Sequence, residues 1–117
     1  MTLEDGPRVY RILPSWWPAA GMCFFGIILL QKNASDAILA HEVIHRLQQQ
    51  RDGWKFYLRY VFSPTWRTQY EAEAYVVQYR AGASIEALAD TLSGWLYLKC
   101  CSRERALRAI KAAAGVA

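Results

Sequence analysis

AILAHEVIHRLQQQRDGW, residues 37–54, holds both histidines of the chain, His41 and His45, with Glu42 directly after the first. On a helix, four residues advance about 400° and rise ~6 Å, so His41 and His45 point the same way one turn apart. That spacing lets two imidazole nitrogens grip one zinc ion. Glu42, turned about 100° from His41, reaches a water beside the metal without ligating the ion. A metal lowers the pKa of such a water towards ~7, and the carboxylate accepts its proton as hydroxide attacks a carbonyl. An amphipathic helix can spell this short HExxH pattern by accident. Here, however, histidine is scarce and both copies fall at ligand spacing. Asn33 or Ser35 stands ready to cap the helix, because either side-chain oxygen accepts from its unpaired N–H groups.

A catalytic zinc takes three protein ligands and keeps a fourth position open. With both histidines spent, the third ligand must be a carboxylate or a cysteine. QYEAEAYVVQ, residues 69–78, offers Glu71 and Glu73. On a helix these lie about 200° apart, so only one faces the metal. Glu71 shares a face with Ala74, Tyr75 and Gln78, and the small alanine lets two helices approach closely, which favours Glu71. The plainer account of either glutamate is a solvated helix surface. Gln48 lies seven residues after His41 and nearly in line with it; it supports a ligand or lines the cleft, unless it sits at the surface as most glutamines do. Peptide hydrolysis also needs a donor aimed at the developing negative charge. Tyr70, Tyr75, Tyr79 and Arg67 are near Glu71 in sequence, and the pattern does not choose among them. Tyrosines mostly pack with their hydroxyls at the surface.

Outward from these helices the chain reads as follows. RVYRIL (8–13) alternates and predicts a strand. MCFFGIILL (22–30) predicts a buried strand or a small hairpin turning near Gly26. A first helix is expected over about 36–50, stopped near Asp52-Gly53. A second covers WKFYLRYVF (54–62) and ends at Ser63-Pro64, since proline disfavours helical geometry before it. Its FYLRYVF portion reads as core that fastens one metal helix to the other. A third spans about 66–80, closed by Gly82. Ser84 caps a fourth that runs to Tyr97 or Leu98, and RERALRAIKAAA forms a fifth. The fold class expected is α+β: a small N-terminal sheet or hairpin packed on a helical body of four to five helices. Residues 1–117 form one domain, with 99–117 a basic helical tail.

The bulk properties agree. A chain of 117 residues, 54% apolar and 21% charged, is globular rather than disordered. At that length one domain buries roughly two thirds of its unfolded surface. From Lys99 onward, five basic residues against the single acid Glu104 account for the whole formal charge of +4. Basic character is thus a property of the tail, and no nucleic-acid partner is expected. The tail is either a solvated face, a contact for an anionic partner, or a flap over the cleft. Cys23, Cys100 and Cys101 form neither a CxxC ribbon nor an even framework, which points to reduced thiols in the cytoplasm. SWWPAAGMCFFGIILL (15–30) carries no charge, yet it is shorter than the ~20 residues a spanning helix needs. Pro18, Gly21 and Gly26 interrupt it, and Glu4 and Asp5 offset Arg8 and Arg11 upstream, unlike a secretion signal. Buried strands are expected there, with no membrane span.

HEVIH followed by the downstream Glu71-x-x-Ala74 helix resembles the gluzincin metallopeptidases, in which a glutamate on a later helix completes the site. The short length points to minimal, single-domain members. The pattern HExxHxxQQ…FYLRY…YEAEAY is similar to a group of small peptidase-like proteins of bacteria and their phages. The matching motifs cover about residues 34–80, and the tail matches weakly. The resemblance implies a zincin-like fold, one zinc ion bound by His41, His45 and Glu71, and Glu42 as general base and acid. Many gluzincins carry ExxAD, whose aspartate supports a ligand histidine. Tyr75 stands at that place here, and its phenol hydroxyl would have to serve instead. The expected activity is zinc-dependent hydrolysis of a peptide or protein substrate. The rival expectation is an inert metal-bound binding or structural module on the same framework.

Overall fold

The computed structural model describes residues 8–116; residues 1–7, among them Glu4 and Asp5, and Ala117 lie outside it. Three strands come first: β1 (Arg8–Leu13), β2 (Gly21–Phe24) and β3 (Ile27–Gln31). Five α-helices follow: α1 (Asp36–Asp52), α2 (Trp54–Phe62), α3 (Pro64–Arg80), α4 (Ile85–Leu92) and α5 (Arg103–Ala114), with a 3₁₀ turn at Trp95–Tyr97 before α5. The fold is α+β, as the sequence predicts.

The sheet has the order β1-β3-β2, with β1 parallel and β2 antiparallel to β3. The hairpin turns at Phe25 (φ 48°) and Gly26 (φ 80°). A two-residue hairpin turn with both central residues left-handed matches the twist of the strands, though phenylalanine is an unusual occupant. Tyr57 of α2 steadies it: the Phe25 N–H donates to the Tyr57 hydroxyl at 2.8 Å, and the two rings stack 4.5 Å apart. The stretch 15–30 is less buried than expected. Ile28 and Leu30 are fully buried, whereas Trp16 and Phe25 are largely exposed. In β1 only Leu13 is buried, because the strand sits at one edge of a small sheet.

Ser35, rather than Asn33, caps α1, its side chain accepting from the Ile38 N–H at 3.2 Å. Gly53, at φ 61°, closes α1 and opens α2 in a single residue. Ser63 caps α3 with Pro64 in its first turn, where the missing N–H costs nothing. α4 is shorter than expected: it ends at Leu92. The Gly94 N–H turns back to the Thr91 carbonyl, and the left-handed Leu98 and Lys99 redirect the chain into α5. α5 is not a flap. It packs on α3 and α4, with Ala106 and Ile110 fully buried in one cluster with Ala72, Tyr75, Leu88 and Leu92. Its basic side chains dress the outer face, where Arg103 pairs with Asp90. Among the described residues no helix is long and apolar enough to cross a membrane.

Candidate metal centre

α1, α2 and α3 meet around the predicted ligands. His41 and His45 lie one turn apart on the buried face of α1, with their Nε2 atoms 3.2 Å apart. Glu71 enters from α3 and sets Oε1 3.1 Å from each of those nitrogens. Of the two glutamates on α3, Glu71 points inward and is 2% exposed, whereas Glu73 turns away to Arg51 and to the Gln48 amide. Among the described residues no cysteine joins the group, whose donors are His41, His45 and Glu71.

The donor set fits a divalent ion of zinc type. Tetrahedral ligands at 2.0–2.2 Å lie roughly 3.3–3.5 Å from one another. The triangle here has edges of 3.1, 3.1 and 3.2 Å. Proton counting points the same way. The Gln48 amide nitrogen donates to the Tyr70 carbonyl (2.9 Å) and to Glu73 Oε1 (3.1 Å), so the amide oxygen is the atom facing His45 Nδ1 at 2.9 Å. Nδ1 must then carry the proton, and neutral His45 presents a bare lone pair at Nε2. That lone pair faces a carboxylate oxygen. Two acceptors at that distance require a cation between them, either a proton or a metal. Without a metal, burial works against a charged His45, but the Glu71 carboxylate outweighs it and raises the imidazole to about 9. Burial likewise works to raise Glu71, and the two imidazoles overcome it, holding the carboxyl well below its usual range.

Gln48 is therefore buried, at 3% exposure, and not a surface glutamine. Its place as a support for a ligand is the one the in-line spacing allowed. Tyr75 departs from expectation. Its ring lies edge-on to His41, 4.6 Å between centroids, but its hydroxyl pairs with the Tyr97 hydroxyl at 2.9 Å and supports no histidine. His41 Nδ1 is buried without a hydrogen-bond partner among the described residues. The phenol that touches the site is Tyr60 of α2, which donates to Glu71 Oε2 at 2.5 Å. FYLRYVF is thus a wall of the site as well as core. No feature of the sequence separates Tyr60 from its neighbour Tyr57; only the packing of α2 against α3 does.

A cavity of about 330 Å³ opens beside the triad. Glu42, 6% exposed, faces it from α1. β2 lines it from Gly21 to Phe24, α2 supplies Phe56, Tyr57, Tyr60 and Val61, and Leu96 and Tyr97 complete the lining together with Ala19. Burial raises the Glu42 carboxyl above its ordinary value, against the pull of both histidines. Burial and then Glu71 push the Tyr60 and Tyr97 hydroxyls well up, so both remain protonated donors at neutral pH. Cys23, which donates to Gln49 Oε1 at 3.7 Å, is raised to about 12, chiefly by burial. It is a poor nucleophile and a poor ligand.

The other candidates near Glu71 point elsewhere. The Tyr70 hydroxyl donates to Asp52 at 2.6 Å. Arg67 is spent on the backbone carbonyls of Tyr60, Val61 and Tyr97. Tyr79 packs against the α4–α5 cluster. Comparison with known proteins adds nothing to this geometry: no family model matches the chain, and neither curated proteins nor solved structures give a match.

Proposed function

We propose that this chain is a zinc-dependent peptidase of gluzincin type. The observation that carries the reading is the buried triangle of His41 Nε2, His45 Nε2 and Glu71 Oε1, with the Glu42 carboxylate beside it at the edge of a cavity. His41, His45 and Glu71 would hold the ion. When bound, it supplies Lewis acidity, lowering the pKa of a water towards ~7 and polarising a carbonyl. Glu42 accepts the proton of the attacking water and later delivers it to the departing amine. A carboxyl raised by burial suits both halves of that task, because its basicity moves towards the operating pH. The Tyr75–Tyr97 hydroxyl pair uses one of its two protons internally. The other can meet the oxyanion from Tyr97, which lines the cavity.

The surroundings fit an extended peptide. β2 is the outer strand of the sheet and forms a cavity wall, so a substrate backbone can pair along its edge. Phe24, Phe56, Val61 and Leu96 offer apolar surface to its side chains. The test is incubation of zinc-loaded protein with a diverse peptide mixture, with Glu42→Gln as control. Cleavage by the wild type that disappears in Glu42→Gln is expected. Cuts that persist in the control indicate another mechanism. Metal uptake without any cuts favours the inert binding module.

A further inference from the structure

We propose that Tyr60, clamped by Arg67, is a positioning residue that presents Glu71 to the two histidines through one oxygen only. The inference rests on the metal-centre reading above and adds to it the number of atoms Glu71 contributes. A carboxylate on a flexible stem has a broad, two-fold terminal torsion and can turn either oxygen, or both, towards a cation. Here the two oxygens are assigned. Oε1 lies 3.1 Å from each imidazole nitrogen, and Oε2 accepts the Tyr60 hydroxyl. A phenol donating to a carboxylate is a charge-assisted hydrogen bond, about twice as strong as a neutral one.

Tyr60 is itself held from behind. Arg67 donates from Nε to the Tyr60 carbonyl and from Nη2 to the Val61 carbonyl, both at 2.7 Å, and its guanidinium lies 5.6 Å from the Tyr60 ring centroid. Those carbonyls belong to the last turn of α2, where no helical N–H remains to satisfy them. Arg67 is buried, at 6% exposure, and stands one turn before Glu71 on α3. The helix that carries the ligand therefore also carries the group that locks the ligand's partner. Phe56 and His45 flank the Tyr60 ring at 5.5 and 6.3 Å, leaving its hydroxyl aimed at Glu71. With Oε2 so engaged, Glu71 takes one coordination position rather than two, and room for substrate is kept.

Co²⁺ is the probe, since its visible bands weaken as coordination number rises. Full-length wild type, Tyr60→Phe and His41→Ala are titrated with Co²⁺ against a chelating dye, and their spectra recorded. For Tyr60→Phe we expect affinity ten- to a hundredfold below wild type, the usual cost of losing a ligand's supporting hydrogen bond. We also expect weaker bands as the released oxygen rotates inward. Unchanged affinity and bands overturn the proposal, and so does weaker binding with unchanged bands, which marks a merely structural tyrosine. A wild type that binds no better than His41→Ala overturns the metal-centre reading beneath it. Should Tyr60→Phe not fold, infrared difference spectra of Co²⁺-loaded against metal-free wild type, with ¹³C-labelled glutamate, decide instead. A wide separation of the carboxylate stretches supports one-oxygen ligation, and a narrow one overturns it.

Discussion

Gly21→Ala should separate chemistry from metal binding. Gly21 opens β2 directly over α1, and a Cβ there would lie 2.9 Å from Leu30 Cδ2, 3.0 Å from Glu42 Cγ and 3.2 Å from Glu42 Oε2. Ordinary contact begins near 3.4 Å, so the two carbons must retreat by about 0.5 and 0.4 Å. Leu30 is fully buried and has nowhere to go; Glu42 is the side chain that yields. Overpacking of this kind costs about 1–3 kcal/mol. Replacing glycine at an unstrained position returns about 0.4–1 kcal/mol through the unfolded chain. A net loss of about 1–2 kcal/mol follows, a fall in Tm of roughly 4–8 °C for a domain of this size. Displacing Glu42, the proposed general base, by a fraction of an ångström should lower kcat roughly ten- to a hundredfold. None of the three ligand side chains is touched, so zinc content should stay at the wild-type level. The assays are calorimetry, metal analysis and peptide cleavage. A variant with wild-type Tm and wild-type kcat would refute the contact; lost zinc would refute the separation of Glu42 from the ligand set.

The remaining expectations are briefer. Glu71→Gln should abolish zinc retention on a desalting column, whereas Glu73→Gln should retain it; the opposite result would reverse the ligand assignment. Ile110→Ala should cost about 2–5 kcal/mol by chemical denaturation, because α5 is core rather than tail, and an effect below 1 kcal/mol would restore the flap. Asp52 is held down to about 2 by hydrogen bonds from Arg51 and then Tyr70. A depressed carboxylate stabilises the fold above its unfolded pKa and loses that contribution as pH falls through the folded one. Asp52→Asn should therefore be less stable than wild type at neutral pH, and the gap should close between about pH 4 and pH 2. A gap that stayed constant across that window would contradict the assignment.

What the sequence could and could not reveal follows from which interactions are local. His41, Glu42 and His45 were legible because helical geometry alone fixes their relative directions. Glu71 was legible because only one of two glutamates 200° apart can share a face with Ala74. The hairpin at Gly26 and the cap at Ser84 were legible because turn and cap chemistry is local; the sequence left Asn33 and Ser35 both open for α1, and it marked Ser63-Pro64 as the end of α2 without showing that Ser63 caps α3. The two tyrosines exchanged roles because neither role is local. Tyr75 sits on the ligand helix, one turn beyond Glu71, and backbone geometry puts its ring on His41; but its hydroxyl, several ångströms out, bonds with whatever packs there, and that is Tyr97. Tyr60 is separated from Glu71 by a helix break, and it reaches the ligand because Arg67 ties the end of α2 to α3. Gln48 went the other way. Residue type argues for the surface, yet a glutamine that can accept from His45 and donate to the Tyr70 carbonyl satisfies two buried polar groups at once. Leucine at that position would leave His45 Nδ1 without that acceptor. The polarity that argued for exposure is what burial at this centre demands.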